Sequence, residues 1–321
     1  MLNLAETPHF QDPNKAREFL EAQRWPNGPV CPHCDCKVAY KLTPKPGSKK
    51  PVRPGVYKCK ECEQQFTVTV NTIFEDSHIS LNKWLLAIHL LCASKKGMSA
   101  HQLHRMLGVT YKSAWFMAHR IRYMMSQPSF TNKLHGVIEA DETYVGGKRK
   151  NEGRRGRPDQ SSHKQAVFAL VKRGGDVRSF HVQRVTADNL VGILRKQVNQ
   201  RGTIMTDNFA SYNGLGVRFG AHHTVNHSAG EYSRKVPGVA TIHTNTIEGV
   251  FSILKRGLIG TYHQVGSHHL HRYLSEFDFR YNARKIDDTQ RTLLALSQAE
   301  GKRLQLRESC EPRTGAMGNI N

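Results

Sequence analysis

The residues with the clearest chemical potential lie in the segment HTNTIEGVFSILKRG, near the C-terminal end of the 321-residue chain. Read as a helix, this segment places Ile247, Phe251 and Leu254 on one apolar stripe. Glu248 and Lys255 are two helical turns apart and share a face beside that stripe. A carboxylate and a lysine on one side of a helix can bind a metal ion and a phosphate together.

Two aspartates end strand-like runs upstream of this helix. Asp141 follows VIEA and Asp207 follows IMT, so both lie where an aspartate is costly unless it is paired or bound to a metal ion. Glu139 shares the strand face of Asp141 and stays open as an alternative, whereas Glu142 points to the opposite face and is discounted. Carboxylates from separate elements can hold two Mg²⁺ ions about 4 Å apart, an arrangement that serves phosphoryl transfer.

A second group of residues with metal-binding spacing is formed by the motifs CPHC and CKEC. Each motif forms a knuckle whose two thiolates reach one ion, and two knuckles complete a tetrahedral zinc site. We therefore predict Cys31, Cys34, Cys59 and Cys62 as the ligands of one structural Zn²⁺. Cys36 follows the first knuckle and could compete, but the symmetry of the two motifs favours Cys34.

The charge balance limits the classes of partner. Lys and Arg number 47 against 26 Asp and Glu, which gives a formal net charge of +21. Such an excess indicates a protein that binds a polyanion, and nucleic acid is the first candidate. The opening residues do not form a secretory signal, the longest apolar run is about half a membrane span, and paired CxxC motifs suit a reducing compartment. We expect a cytoplasmic protein that binds DNA and no membrane.

The pattern of apolar residues predicts an α/β protein in five segments. They are an N-terminal helix, a zinc ribbon, a helix-turn-helix-like region, a domain of alternating strands and helices, and a C-terminal helix with a tail, at 1–25, 26–75, 79–127, 134–286 and 287–321. Strands of the fourth segment are predicted at 136–145, 166–172, 179–185 and 202–206, with a weaker one at 223–226. Its helices are predicted at 187–198, around Glu248, and at 268–284.

The region 79–127 has the layout of a DNA-binding helix-turn-helix. A short helix is followed by a turn at Gly108 and a second helix that begins near Thr110. Lys112, Arg120 and Arg122 are predicted to lie on exposed parts of the second helix, where they would contact DNA. The alternative is a plain helical hairpin that links two domains.

At these motifs the chain resembles the DDE transposases of bacterial insertion sequences, in the ISXO2-like group. The resemblance rests on IEADETYVGGK, TDNFASY and HTNTIEGVFSILKRGLIGTYHQV, and it extends from RWPNGPVCPHC to FRYNAR. It implies an RNase H-like core, a mixed sheet flanked by helices, behind a zinc ribbon. In such a core the acids lie on the first strand, on the fourth strand and on a helix, which are the positions of Asp141, Asp207 and Glu248.

The family pattern also bears on the alternatives. It favours Asp141 over Glu139, and Lys255 matches the lysine that follows the last acid. The third catalytic position is described in this group as Asn, Glu or His. Asn245 lies one helical turn before Glu248, so both residues stay candidates for that position.

The resemblance implies a transposase that binds the inverted-repeat ends of its element, cleaves their 3′ ends and transfers them into target DNA. Asp141, Asp207 and Glu248 would hold two Mg²⁺ or Mn²⁺ ions, while Lys255 and Arg256 would contact the DNA backbone. Joining two ends implies at least a homodimer, in a bacterial cytoplasm. Two alternatives are a zinc-ribbon regulator with an inert RNase H-like domain and a nuclease or resolvase of the same fold.

Overall fold

A computed structural model describes residues 4, 6–43, 52–126, 132–146 and 164–306, which form two compact units. One unit joins the described residues up to 125 to those from 286 to 306, and the other holds the described residues from 126 to 285. The predicted tail beyond residue 306 lies outside the described residues. Within the described ranges, no helix is long and apolar enough to cross a bilayer.

The first unit begins with two helices and a small antiparallel sheet in the order β1-β2-β3. These elements are α1 (Pro8–Gln11), α2 (Pro13–Arg24), β1 (Ala39–Lys41), β2 (Tyr57–Cys59) and β3 (Gln65–Phe66). Asp12 starts α2 by accepting hydrogen bonds from the backbone N–H groups of Asn14 and Lys15, both at 2.8 Å. The ring of Trp25 packs edge-on against those of Tyr57 and Phe66 and supplies the core of the ribbon.

Three helices follow: α3 (Leu81–Ala93), α4 (Ala100–Leu107) and α5 (Tyr111–Met125). Gly108 ends α4 in the left-handed conformation, with φ 58°, which a glycine adopts without steric cost. Ser99 caps the start of α4 by accepting a hydrogen bond from the Gln102 N–H. A turn at Gly108 therefore joins α4 to α5.

The last helix, α9 (Asp288–Ser297), returns to this first unit and packs against α3. Arg291 donates to the Cys92 carbonyl at 2.8 Å, and the Thr292 hydroxyl lies 3.0 Å from Nδ1 of the buried His89. A capping box between Asp287 and Gln290 fixes the start of the helix. Residues far apart in sequence thus complete one core.

The second unit contains a five-stranded mixed sheet in the order β6-β5-β4-β7-β8. Its strands are β4 (Val137–Val145), β5 (Gln165–Lys172), β6 (Val177–Val182), β7 (Thr203–Asp207) and β8 (Ala221–Val225), and its helices are α6 (Ala187–Gln197), α7 (Asn245–Gly257) and α8 (Leu270–Asn282). β5 runs antiparallel to β4 and β6, whereas β4, β7 and β8 run parallel. This order and these directions are those of an RNase H-like domain, so the predicted fold class is confirmed.

Each face of this sheet carries its own core. Ile138 and Ala140 pack on the side of α6, and Val145 packs with apolar residues of α7 and α8 on the other side. Because side chains alternate along a strand, Glu139 and Asp141 share the side of α7. β4 therefore presents two acids to the helix that carries Glu248.

We expect α9 to be required for the stability of the first unit. Leu296→Ala removes a nearly buried side chain and should lower the free energy of unfolding of this unit by about 2–4 kcal/mol. The matched change Leu294→Ala, on the same helix at a side chain that is 41% exposed, should cost less than about 1 kcal/mol.

Denaturant titration followed by tryptophan fluorescence measures this effect, since Trp25, Trp84 and Trp115 all lie in the first unit. Equal losses in the two variants would show that α9 is not part of this core.

Candidate active site and metal centres

The four predicted zinc ligands converge in the first unit. The Sγ atoms of Cys31, Cys34, Cys59 and Cys62 all lie within 4.8 Å of one another, and the pairs 31–62 and 34–59 are each 3.6 Å apart. Four thiolates about 2.3 Å from a central tetrahedral Zn²⁺ are about 3.8 Å from one another, so the observed spacing fits that ion. These four cysteines therefore form a group whose ligand atoms could hold one metal ion.

The knuckle backbones explain how the cysteines converge. Asp35 and Glu63, each directly after the second cysteine of a pair, both have φ of 58° and turn the chain back. The Cys59 N–H donates to the Gln64 carbonyl at 3.0 Å, which closes the second knuckle. Cys36 lies outside the four-thiolate cluster, where its sulfur accepts a hydrogen bond from the Val38 N–H at 3.4 Å.

In the second unit, β4 and β7 bring the two aspartates together. The parallel register pairs Val137 with Thr203 and Glu139 with Met205, and Asp207 is close enough to Asp141 to raise its pKa. Asp207 is the last residue of β7, and its Oδ1 accepts a hydrogen bond from the Phe209 N–H at 3.1 Å. The two carboxylates therefore lie near the carboxyl end of β7, where open α/β sheets place ligands.

The electrostatics of Asp141 reflect this crowding. Burial, with smaller contributions from the neighbouring carboxylates of Glu142, Asp207 and Glu248, raises the pKa of its carboxyl group to about 7, against the opposing effect of a hydrogen bond from the Glu142 N–H. Like charges at close range disfavour ionisation, whereas a cation between them favours it. The site thus has the electrostatic character of a cation-binding site.

Glu248 lies in the first turn of α7, with its side chain about half exposed. Its Oε1 accepts a hydrogen bond from the Thr244 hydroxyl at 3.0 Å and lies 3.4 Å from Nε2 of His227. The same His227 nitrogen lies 3.0 Å from the Thr244 oxygen. A small polar network therefore holds Glu248 near the aspartates.

The other predicted residues of α7 are on its surface. Asn245, the first residue of the helix, is exposed, and its N–H donates to His243 Nδ1 at 3.3 Å. Lys255 and Arg256 are exposed in the last turn, where their charges suit the negative end of the helix. All three are accessible to a ligand.

The two competing acids have other partners. Glu139 is fully buried, and its carboxylate accepts hydrogen bonds from the Arg173 Nε, the Thr246 hydroxyl and the Ile247 N–H. Glu142 accepts a hydrogen bond from the buried hydroxyl of Tyr212. Among the contacts described for Asp141, its carboxylate accepts one hydrogen bond, from the backbone N–H of the next residue. Of the acids on β4, Asp141 is therefore the one most available to a ligand.

The predicted exposure of two DNA-contacting arginines is wrong. Arg120 is 5% exposed and donates to the backbone carbonyls of Leu304 and Glu75, and Arg122 is 2% exposed. The second half of α5 lies within the core of the first unit, so these arginines help to hold that core together and are inaccessible to phosphates. Lys112, near the start of α5, is exposed as predicted.

His227, Arg173 and Tyr212 surround the acids but were not predicted from the sequence. Each acts through a partner that is distant along the chain, so no local spacing marks it. Tyr212 could have been suspected from the sequence, because it ends the segment TDNFASY, which also contains Asp207.

Comparison with known proteins assigns the chain to a family. Residues 133–282 match the ISXO2-like transposase domain, and residues 11–65 match the transposase zinc-ribbon domain. The chain belongs to the ISXO2-like transposases. The two matched domains coincide with the two candidate metal centres, so the predicted family is confirmed.

A relative and two solved structures are similar to this transposase. An uncharacterized protein in the transposable element ISH50 of Halobacterium salinarum is 28% identical over 285 residues, which cover 84% of this chain and 91% of the relative. A chain of the simian T-cell lymphotropic virus intasome in complex with PP2A regulatory subunit B56 gamma is 15% identical, with TM-score 0.28 and coverage of 55% and 63%. A chain of a pre-cleavage Mos1 transpososome is 12% identical, with TM-score 0.27 and coverage of 66% and 74%. Scores this low carry no conclusion about the present chain.

We expect Cys59→Ser to release about one zinc ion per chain, because three thiolates cannot complete the tetrahedral site. Cys36→Ser should keep the ion, since Cys36 lies outside the four-thiolate cluster. Elemental analysis of the purified transposase and both variants measures the bound zinc. A wild-type protein without zinc, or equal zinc content in the two variants, would contradict this assignment.

We expect Asp141→Asn to stabilise the second unit in magnesium-free buffer. Because the folded-state pKa of Asp141 is raised to about 7 from 3.8, ionisation makes the wild type lose stability as the pH rises from about 4 to about 7. The variant escapes this loss, so its advantage should be absent near pH 4 and reach about 1–3 kcal/mol above pH 7.

Hydrogen exchange of β4 and β5 peptides, compared between wild type and variant at each pH, measures this difference. Asp176→Asn, at an exposed turn between β5 and β6, is the matched control and should show no such pH dependence. An advantage of Asp141→Asn that is the same at low and high pH would contradict the electrostatic explanation.

Proposed function

We propose that this transposase cleaves the 3′ ends of its element and joins them to target DNA by metal-dependent phosphoryl transfer. Asp141, Asp207 and Glu248 are the proposed ligands of two Mg²⁺ or Mn²⁺ ions. The observation that carries the proposal is the proximity of three carboxylates, from β4, β7 and α7, near the carboxyl end of β7.

The donor set fits divalent cations. Asp207 and Glu248 both raise the pKa of Asp141, so the three carboxylates are close enough to interact electrostatically. Together they could hold two divalent ions. Oxygen ligands with negative charge are those that hard Mg²⁺ prefers.

When bound, the ions would activate the attacking oxygen and stabilise charge on the leaving oxygen. The protein's own residues have the remaining tasks. Asp141 and Asp207 would hold the ions from the sheet, and Glu248 would hold them from α7. Lys255, two turns further along the same face of α7, would hold a DNA phosphate beside the reacting one.

DNA is the proposed partner because the chain carries a net charge of +21 and its exposed cations flank the acidic site. Lys255 and Arg256 would contact the backbone near the scissile phosphate. Lys112, at the start of α5, would contact DNA at the element ends, where the first residues of a recognition helix meet the groove.

We propose a homo-oligomer, at least a dimer, because two ends must be joined. We also propose a bacterial cytoplasmic location.

The test compares the two candidates for the third catalytic position. Glu248→Gln removes the charge that binds the ion and should lower 3′-end cleavage and strand transfer to about a hundredth of the wild-type rate or less. Asn245→Ala should keep measurable activity with weaker binding of Mg²⁺ or DNA, since an amide is a neutral and weaker ligand. The substrate is a labelled duplex of the inverted repeat read from the DNA that flanks the gene.

Circular dichroism confirms the fold of each variant before the assay. An inactive Asn245→Ala beside an active Glu248→Gln would make Asn245 the third catalytic residue. Cleavage without transfer into a target plasmid would indicate a nuclease, and binding without either reaction would indicate a regulator.

A further inference from the structure

The start of α7 is capped by an acid from another element. Its N-cap residue, Thr244, makes no side-chain capping bond, because the hydroxyl donates to Glu248 instead. The backbone N–H of Ile247, in the first turn, donates to Glu139 Oε2 at 3.0 Å. A carboxylate at this end also interacts favourably with the helix dipole. Glu139 of β4 therefore serves as the cap that α7 does not supply.

Burial makes this cap a strong constraint. Glu139 is fully buried, and an unpaired carboxylate there would cost several kcal/mol. Arg173 compensates its charge through a hydrogen bond from Nε to Oε1 at 2.6 Å, and the Thr246 hydroxyl donates to the same oxygen at 2.8 Å. Both oxygens of Glu139 are thus engaged, and any movement of α7 away from β4 would break the hydrogen bonds from Thr246 and Ile247 to this buried carboxylate.

Arg173 extends the connection to the segment that leads into α7. Its Nη1 donates to the Thr241 carbonyl at 2.6 Å, and its Nη2 donates to the His243 carbonyl at 2.8 Å. Its own N–H donates to the Val137 carbonyl of β4 at 3.0 Å. One guanidinium therefore joins β4, the turn after β5 and the approach to α7.

This cluster of Glu139, Arg173 and Thr246, here called the α7 clamp, joins β4 and α7, two of the elements that carry the proposed metal ligands. Glu139 is two residues before Asp141 on the same face of β4, and Thr246 is two residues before Glu248 on α7. We propose that the α7 clamp sets the separation between Asp141 and Glu248, so that Glu139 and Arg173 are positioning residues for the metal site. This inference rests on the proposed function of those carboxylates.

The consequence can be measured without the reaction. Residues that orient metal ligands typically change metal affinity by about 10–100-fold when they are replaced. Arg173→Lys keeps the charge but cannot reach Glu139 and two carbonyls at once. Thr246→Val keeps the size of the side chain and removes the hydroxyl. Thr246→Ser retains the hydroxyl and removes only the methyl group. We expect Arg173→Lys and Thr246→Val to weaken Mn²⁺ binding at least about tenfold, and Thr246→Ser to bind like the wild type.

The matched control for Arg173→Lys is Arg178→Lys. Arg178 is a buried arginine of β6 that hydrogen-bonds Gln197 of α6 and the Asn132 carbonyl, on the face opposite to α7. Its replacement should lower stability without changing Mn²⁺ affinity. This comparison separates positioning of the metal ligands from a general loss of packing.

Titration of free Mn²⁺ by electron paramagnetic resonance, on the zinc-loaded full chain without DNA, is the measurement. Wild-type affinity in both Arg173→Lys and Thr246→Val, or an equal loss in Arg178→Lys, would overturn the inference. If Arg173→Lys does not fold, the Thr246→Val and Thr246→Ser pair decides alone.

Cleavage assays on the same proteins distinguish this inference from the proposed function. The Mn²⁺ concentration for half-maximal cleavage should rise with the measured dissociation constant in the clamp variants. A wild-type chain that binds Mn²⁺ but does not cleave DNA would contradict the proposed function. In that case the Mn²⁺ affinities of the variants would still test whether the α7 clamp positions the metal ligands. A wild-type chain that binds no Mn²⁺ would overturn both.

Discussion

Repulsion among carboxylates at one edge of the sheet is the interaction on which the second unit depends. The parallel pairing of β4 and β7 brings Asp141 and Asp207 together, and α7 adds Glu248. In the absence of a cation this arrangement costs folding free energy, which burial of Asp141 increases. The two cores on the faces of the sheet and the buried pair of Glu139 and Arg173 offset that cost. A fold that holds like charges together in this way is prepared for a divalent cation.

The two candidate metal centres differ in what the ion does for the fold. The ribbon around Cys31, Cys34, Cys59 and Cys62 has a small core of aromatic rings, so a metal ion contributes much of its stability. The acidic site lies on a sheet whose packing does not require an ion. The first centre would therefore be structural and closed by four protein ligands, whereas the proposed acidic centre would leave ligand positions for water and DNA.

Much of this organisation could be predicted from the sequence because it is encoded locally. Alternation of apolar residues predicted the strands, paired CxxC motifs predicted the thiolate cluster, and Asp207 lies at the end of a strand as expected. Periodicity left Glu139 and Asp141 equivalent, because the partners that separate them, Arg173 and Ile247, come from distant parts of the chain. The burial of Arg120 was missed for the same reason, since one of its acceptors is Leu304, far along the sequence.

The most direct test of the two-ion site is to map where a redox-active ion binds. Fe²⁺ that replaces Mg²⁺ generates hydroxyl radicals when ascorbate and peroxide are added, and these cut the chain near the bound ion. If the three carboxylates form one site, the chain should be cut close to Asp141, Asp207 and Glu248. Excess Mg²⁺ should suppress all of these cuts. Cuts at one of these elements alone, or cuts that Mg²⁺ does not suppress, would contradict the claim that the three carboxylates form one cation site.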